Sequence, residues 1–248
     1  MKKIIIATDL DNTLIHSYKH RNIGDVCVEE YRDKEQSFMT KRTIELLREI
    51  IKKAEVVPIT TRSVAQYKRI KWPDGCEPRL AVTTNGAVLM KDGIKDKKWC
   101  LDYKSITSPW GDELKKQYTY WSPLQSYSSC NIVDESYLCL CCKEKADKYD
   151  VFYYQDKTDL QVEISGRKIY FFPLNLDKGK ALMKLRGYLQ GCIVYAAGDS
   201  NIDIPMLKKA DVAFGHRNLQ GMVFDNCKIQ PAGTIFSDWW LECIMFML

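Results

Sequence analysis

The sequence predicts an α/β fold with a parallel sheet, into which an α+β segment is inserted. Three observations lead to this prediction. Apolar strand patterns alternate with helical ones in the first 87 residues, and the same alternation resumes at residue 171. Residues 88–170 instead carry runs of period two, which are typical of half-buried strands. We therefore expect an α/β core domain from residues 1–87 and 171–248, and an α+β domain from residues 88–170.

The first part of the chain predicts strands and helices in turn. Residues 3–8 form an apolar run that fits a buried strand. Thr40 is a favourable N-cap, and Ile44, Leu47 and Ile51 after it recur at helical spacing. The other elements expected in this part are a hairpin over 26–30 and 36–39, a strand over 55–60, a helix over 63–70 and a strand over 80–84.

The α/β order returns in the last part of the chain. Strands that alternate with helices pair in parallel through right-handed connections, so both parts are expected to share one sheet. The inserted segment has a different pattern, with runs of period two and little helix. The elements expected are strands over 137–141 and 160–164 and a helix over 112–118 in the insert, followed by a helix over 178–189, a strand over 193–197, a helix over 202–209 and a strand over 211–214.

Composition and charge narrow the class of protein. The net charge of +5 and the pI near 8.6 fall short of the dense basic surface of nucleic-acid-binding proteins. They suit a small acidic substrate, but taken alone they are explained by a solvated lysine-rich surface. No segment approaches the roughly 20 apolar residues that span a bilayer. The apolar residues 239–248 fit a helix packed on the core or a subunit contact, so a monomer and a homodimer both stay open.

The ten cysteines, in a sequence without a secretory pattern, predict a reducing, cytoplasmic location. Cys139, Cys141 and Cys142 lie close together but lack the paired spacing of a zinc site. We expect Cys139 and Cys141 to share one face of a strand instead.

Four polar clusters fall at or just beyond elements of the predicted sheet. These clusters are Asp9 with Asp11, residues 60–62, Lys178, and residues 199–203. Ligands of open α/β sheets bind beyond the carboxyl ends of the strands, so the clusters are expected to face one crevice. Hard carboxylate oxygens suit Mg²⁺, which binds through few carboxylates and a substrate phosphate. A carboxylate can also attack phosphorus to give an aspartyl-phosphate.

These clusters resemble the motifs of the haloacid dehalogenase (HAD) superfamily of phosphohydrolases. The segment "DLDNT" at 9–13 is similar to its D-x-D-x-T signature, and "ITTR" at 59–62 to its second motif. The segment "LDKGKAL" at 176–182 resembles the lysine motif, and "GDSNIDIPML" at 198–207 the acidic motif. The segment "TTNGA" at 83–87 is similar to one of the sugar-phosphatase branch. The resemblance implies a Rossmann-like core, and the place of the insert resembles the C2-type cap of Cof-like and sucrose-phosphatase-like members.

The resemblance also implies catalytic roles. Asp9 would be the nucleophile, and Asp11 the general acid and base. Thr60 and Lys178 would hold the phosphoryl oxygens. The implied reaction is hydrolysis of a small phosphorylated metabolite, with a sugar phosphate as the expected substrate.

The metal site implied by the resemblance holds Mg²⁺. Its expected ligands are Asp9, Asp11 through a backbone carbonyl, and Asp199, with Asp203 supporting the site. Substrate contacts are expected from Thr61, Arg62, Asn85 and Asn201. For Arg62 and Asn85 an alternative role, holding a loop in place, stays open.

The sequence departs from the family pattern at two positions. Thr61 stands where many members have glycine, and Ile202 stands where the acidic motif usually has Asn, with Asn201 one residue earlier. Two other functions stay open beside the phosphatase, and Ile202 is the feature that favours the second of them. One is a phosphomutase with the same aspartyl-phosphate, and the other is a catalytically silent protein that binds a partner.

Overall fold

The computed structural model describes residues 3–146, 150–190, 193–222 and 224–248. Its strands form four sheets, of which a five-stranded and a four-stranded sheet are the largest. In chain order the strands are β1 (Ile4–Thr8), β2 (His16–Ser17), β3 (Val26–Tyr31), β4 (Lys34–Met39), β5 (Glu55–Pro58), β6 (Leu80–Thr83), β7 (Val88–Lys91), β8 (Ile94–Lys95), β9 (Tyr127–Val133), β10 (Tyr137–Cys142), β11 (Gln161–Ser165), β12 (Lys168–Phe172), β13 (Ile193–Gly198), β14 (Val212–Gly215) and β15 (Cys227–Ile229).

The helices pack around these sheets. In chain order they are α1 (Lys41–Ile51), α2 (Val64–Tyr67), α3 (Lys97–Thr107), α4 (Gly111–Trp121), α5 (Val151–Gln155), α6 (Lys178–Leu189), α7 (Ile204–Leu207) and α8 (Phe236–Met247). None of the helices in the described ranges is long and apolar enough to cross a membrane.

The five-stranded sheet has the order β15-β14-β13-β1-β5, and every neighbouring pair is parallel. The predicted parallel sheet is therefore confirmed. Thr8 lies in register with Pro58 on one side and Ala197 on the other. Since parallel strands end at the same edge, the residues after these three positions meet there.

Local sequence explains where the helices of the α/β part begin. The hydroxyl of Thr40 accepts a hydrogen bond from the Thr43 N–H at 2.8 Å, which confirms the predicted cap of α1. The helix predicted over 63–70 is only the short α2, which begins with a capping box between Ser63 and Gln66. The helix predicted over 202–209 is shorter as well. It is α7, preceded by a 3₁₀ turn over Asn201–Asp203.

The four-stranded sheet is antiparallel, in the order β11-β12-β10-β9. It confirms the strands predicted over 137–141 and 160–164. Cys139 and Cys141 occupy alternate positions of β10, so they share one face, as expected. Residues of the opposite face form a second hydrophobic cluster with α4 and α5. The sheet contributes Leu138, Leu140, Ile169 and Phe171, and the helices contribute Trp121 and Tyr154.

The start of the insert stays a prediction, but contacts favour a later position than residue 88. Strand β7 pairs antiparallel with β6, and β6 continues the core through a parallel bridge between Ile59 and Val82. Trp99 and Tyr103 of α3, a helix that was not predicted, are buried, and the Trp99 indole N–H donates to the Gly86 carbonyl at 2.9 Å. These contacts favour a start of the second domain after α3.

The predicted hairpin after the first strand is confirmed. Strands β3 and β4 pair antiparallel, and β2 pairs with the other edge of β4. Glu29 of β3 also forms a bridge with Ile70, beyond α2. The hairpin is thus attached to the segment that follows the second polar cluster.

Truncation of Trp121 should destabilise the second hydrophobic cluster. Its indole is fully buried, and its N–H donates to Gln117 at 2.8 Å. We expect Trp121→Ala to lower the free energy of unfolding by about 3–5 kcal/mol, measured by urea titration with circular dichroism. Tyr118→Ala, on the exposed side of the same helix, is the control and should change it by less than about 1 kcal/mol. Equal losses in both variants would contradict the assignment of this core.

Candidate active site

A buried lysine joins two of the predicted clusters. The Lys178 ammonium lies 2.6 Å from Asp9 Oδ1 and 2.6 Å from Asp203 Oδ1. Asp9 follows β1, Lys178 is the first residue of α6, and Asp203 precedes α7. The side chains of Lys178 and Asp203 are almost inaccessible to solvent. The three residues therefore form one buried network of charged groups.

Asp203 fixes the loop that carries Asp199. Its Oδ2 atom accepts hydrogen bonds from the backbone N–H of Asp199 at 3.1 Å, and from the N–H and hydroxyl of Ser200, both at 2.9 Å. Its other oxygen is held by Lys178. Because both oxygens of Asp203 have partners, this residue is better placed to support a metal site than to bind the metal directly.

A group of three carboxylates could hold a cation. Asp9, Asp199 and Asp203 each offer one oxygen, and these oxygens lie within 4.8 Å of one another. The Thr13 hydroxyl donates to Asp199 Oδ1 at 3.3 Å. Three carboxylates beside one ammonium leave an excess of negative charge, and oxygen donors of this kind fit Mg²⁺.

The pKa values of the cluster reflect this excess charge. Burial raises the pKa of Asp9 to about 7. Lys178 opposes that rise, while the carboxylates of Asp203 and Asp11 add to it. Burial, together with Asp203 and Asp9, also raises the pKa of Asp199 well above its ordinary value. Without a further cation, the structure therefore favours protonation of this cluster.

Asp11 has a different environment. Its carboxylate accepts two hydrogen bonds from Arg62, from Nε at 2.9 Å and from Nη2 at 2.7 Å. Partial burial opposes ionisation, but Arg62 outweighs it and the pKa of Asp11 falls to about 2. The Asp11 side chain remains 43% exposed, so it can still be reached from the crevice.

Arg62 links Asp11 to the hairpin. Its Nη2 atom lies 2.9 Å from Glu29 Oε2 and 3.2 Å from the Ser37 hydroxyl. Glu29 is also paired with Arg69 at 3.0 Å. Arg62 was predicted to contact substrate or to hold a loop, and these contacts favour the second role. Sequence reasoning missed Glu29 and Ser37, because no motif marks them and their distance from residue 62 along the chain hides the contact.

The polar cluster at residues 60–62 lies where the four-stranded sheet contacts the core. Thr60 is fully buried, and its hydroxyl oxygen accepts the Arg62 N–H at 3.1 Å. The Tyr137 hydroxyl donates to the Thr61 carbonyl. The Thr61 hydroxyl interacts with the phenol of Tyr170. Thr61, expected to bind substrate, thus contacts the four-stranded sheet.

The two predicted asparagines lie in different surroundings. Asn85 is buried, and its Nδ2 donates to the Leu176 carbonyl at 3.0 Å, so it ties two loops together. Its Oδ1 atom has no hydrogen-bond partner in the part of the chain that the structure describes. Asn201 is exposed, and within the same ranges its side chain makes no hydrogen bond. Ile202 is buried in the main hydrophobic cluster, where an apolar side chain is favourable.

A close contact requires glycine beside Lys178. A Cβ at Gly179 would lie 2.4 Å from the Pro205 carbonyl oxygen, so α6 and the start of α7 touch through backbone. This contact keeps Lys178 near Asp203, which lies two residues before Pro205. The glycine of the lysine motif therefore has a packing role in this chain.

A methyl group at Gly179 should disturb the buried network around Lys178. We expect Gly179→Ala to lower the free energy of unfolding by about 1–3 kcal/mol, because the two helices must move apart. Gly187→Ala lies on the exposed side of the same helix, where a Cβ meets no atom within 4 Å. It should be neutral or stabilise by up to about 1 kcal/mol. Urea titration of both variants tests the contact, and equal effects would contradict it.

Asp9 should make the metal-free protein less stable as pH rises. Its pKa of about 7 in the folded chain exceeds the ordinary value of 3.8. The folded state therefore binds more protons between these values, and stability falls as pH increases through them. From pH 5 to 8 in EDTA we expect Asp9→Asn to lose less stability than the wild type, by on the order of 1–3 kcal/mol. Identical pH profiles would contradict the raised pKa.

No family model and no curated protein matches this sequence. Solved structures with a similar fold include sucrose-phosphatase from Synechocystis sp. with sucrose and phosphate, at 18% identity and a TM-score of 0.69 over 99% of this chain and 98% of that one. A haloacid dehalogenase-like hydrolase from B. subtilis has 19% identity and a TM-score of 0.62 over 100% of both chains. Trehalose-6-phosphate phosphatase from Aspergillus fumigatus has 15% identity and a TM-score of 0.54 over 98% and 93%. The chain therefore has the fold of the haloacid dehalogenase-like hydrolases.

Proposed function

We propose that this protein is a Mg²⁺-dependent phosphatase that hydrolyses a small phosphorylated metabolite, a sugar phosphate, through an aspartyl-phosphate. The observation that carries the proposal is the buried lysine between Asp9 and Asp203, next to Asp199, at the carboxyl edge of a parallel sheet. A nucleophile, fixed positive charge and oxygen ligands for a cation meet at this point. The solved phosphatases that share the fold support the same reaction class.

The residues that would hold Mg²⁺ are Asp9 and Asp199, with the backbone carbonyl of Asp11. Asp203 would keep Asp199 and Lys178 in place through its hydrogen bonds. When bound, the ion would reduce the repulsion between the carboxylates and an incoming phosphate.

Asp9 is the proposed nucleophile. Its carboxylate oxygen forms a bond to phosphorus while the bond from phosphorus to the leaving-group oxygen breaks. Lys178 has three N–H donors, of which two face carboxylates, so one remains for a phosphoryl oxygen. The Thr60 oxygen accepts from Arg62, which leaves its own proton free to donate to the phosphate.

Asp11 is the proposed acid and base. As the carboxylate paired with Arg62 it has the form needed to take a proton from the water that attacks the aspartyl-phosphate. To protonate the leaving group in the first step it must first gain a proton. A bound phosphate dianion beside Asp11 would raise its pKa and favour this change.

Ile202 was the feature that favoured a catalytically silent protein. Its side chain is buried in the core, while Lys178, Asp9 and Asp203 keep their contacts. Packing therefore accounts for the isoleucine without loss of the charged network. The phosphomutase alternative shares every residue named above, and only the products of the reaction distinguish it.

Phosphate release from a panel of sugar phosphates, measured with Mg²⁺ and with EDTA, tests the proposal. We expect release that depends on the metal and falls at least roughly 10³-fold in Asp9→Asn. Asp112→Asn, an exposed carboxylate of α4, is the matched control and should keep full activity. Undiminished release from Asp9→Asn would rule out the mechanism. Transfer of phosphate between sugar positions without net release would favour the mutase.

A further inference from the structure

One face of the four-stranded sheet is turned toward the candidate active site. Tyr137, Cys139 and Cys141 alternate along β10 and share this face. In the antiparallel register, Tyr170 lies beside Cys139 and Lys168 beside Cys141. Lys168 is therefore on the same face as Tyr137, opposite to the face that packs on α4 and α5.

Contacts with Thr61 fix the direction of this face. The Tyr137 hydroxyl reaches the Thr61 carbonyl, and the Tyr170 phenol lies against the Thr61 hydroxyl. Lys168 precedes Tyr170 by two residues in β12, so their backbones are roughly 7 Å apart along the strand. Tyr170 and Asp11 both raise the pKa of Lys168, so the lysine is close enough to Asp11 for their charges to interact.

In the part of the chain that the structure describes, Lys168 has no fixed partner of its own. Its side chain is exposed, and across the described ranges its ammonium forms neither an ion pair within 4 Å nor a hydrogen bond. Glu163 is the carboxylate on the same face of β11, in register with Tyr170, and it accepts a hydrogen bond from Gln161 at 3.0 Å instead. An exposed lysine on the face toward Thr61, without such a partner among the described residues, is available to a ligand.

We propose that Lys168 determines substrate specificity by binding a second anionic group, a carboxylate or a phosphate, on the leaving group of the substrate. This inference rests on the proposed function. The reacting phosphate would lie at Asp9, Thr60 and Lys178, and the leaving-group oxygen at Asp11. The rest of the leaving group would then extend toward the face of the four-stranded sheet that carries Lys168.

The chemistry of Lys168 favours an anion over a neutral hydroxyl group. Hydrogen bonds between an ammonium and a carboxylate or phosphate are about twice as strong as those between neutral groups. The alternative role for Lys168 is that of a solvated lysine near a strand end. That role predicts no effect on the choice of substrate, and this difference makes the two roles separable.

Matched substrates test the proposal. Glucose 6-phosphate and 6-phosphogluconate differ by a carboxylate, and fructose 6-phosphate and fructose 1,6-bisphosphate differ by a phosphate. We expect the wild type to prefer the acidic member of at least one pair, and that pair identifies the anion. In Lys168→Met, kcat/KM for this acidic member should fall roughly 10- to 100-fold. For the neutral members, the two substrates whose leaving group carries no charge, it should change by less than about 3-fold. Lys168→Arg should restore part of the preference.

Lys115→Met is the control, since this lysine lies on α4 and its partner is Asp112. It should leave all four substrates unaffected. Equal losses for acidic and neutral members in Lys168→Met, or a wild-type preference for the neutral members, would overturn the proposal.

Binding separates failure of this inference from failure of the proposed function. The same four compounds are titrated by calorimetry into Asp9→Asn with and without Lys168→Met. Binding of an acidic member that depends on Lys168 supports the inference even where the wild type shows no turnover, and only the phosphatase mechanism then fails. Binding that is absent, or indifferent to Lys168, overturns the inference whatever the activity.

Discussion

The buried ion pairs of Lys178 with Asp9 and Asp203 are the interaction on which the rest of the site depends. Removing charges from water is costly, and a buried carboxylate that loses its partner is strongly destabilising. The fold therefore surrounds this lysine with fixed groups. Asp203 is held by the N–H groups of the loop that carries Asp199, and the glycine after Lys178 lets two helices meet through backbone. These contacts place three carboxylates together at one edge of the sheet.

A second constraint joins the parts of the chain that surround this network. Thr61 contacts two tyrosines of the four-stranded sheet, and Arg62 contacts both Asp11 and Glu29 of the hairpin. The core, the hairpin and the inserted sheet thus meet at two neighbouring residues. Because Arg62 shares its guanidinium between two carboxylates, a movement of the hairpin would change the environment of Asp11.

The sequence could predict the parallel sheet and the charged cluster, because both follow from local patterns. Strand and helix periodicity locates β1, β5 and β13, and the polar residues after them meet by the geometry of parallel strands. The contact of Glu29 with Arg62 could not be predicted, since the hairpin has no motif and pairs with residues far along the chain. Likewise, α3 carries mixed charges and only a weak apolar face, so tertiary packing of Trp99 and Tyr103 decides its place in the core.

The charges of the crevice show why residues of the second sheet matter for a phosphorylated ligand. Among the described residues, the four carboxylates of Asp9, Asp11, Asp199 and Asp203 are paired with two cations, Lys178 and Arg62. With all four carboxylates ionised, a divalent cation would restore neutrality but leave nothing to balance a phosphate dianion. Glu29, which also contacts Arg62, is matched by Arg69 and does not change this balance. A second anionic group on the substrate would add further negative charge, and Lys168, on the face of the four-stranded sheet toward Thr61, is the positive charge proposed to pair with it.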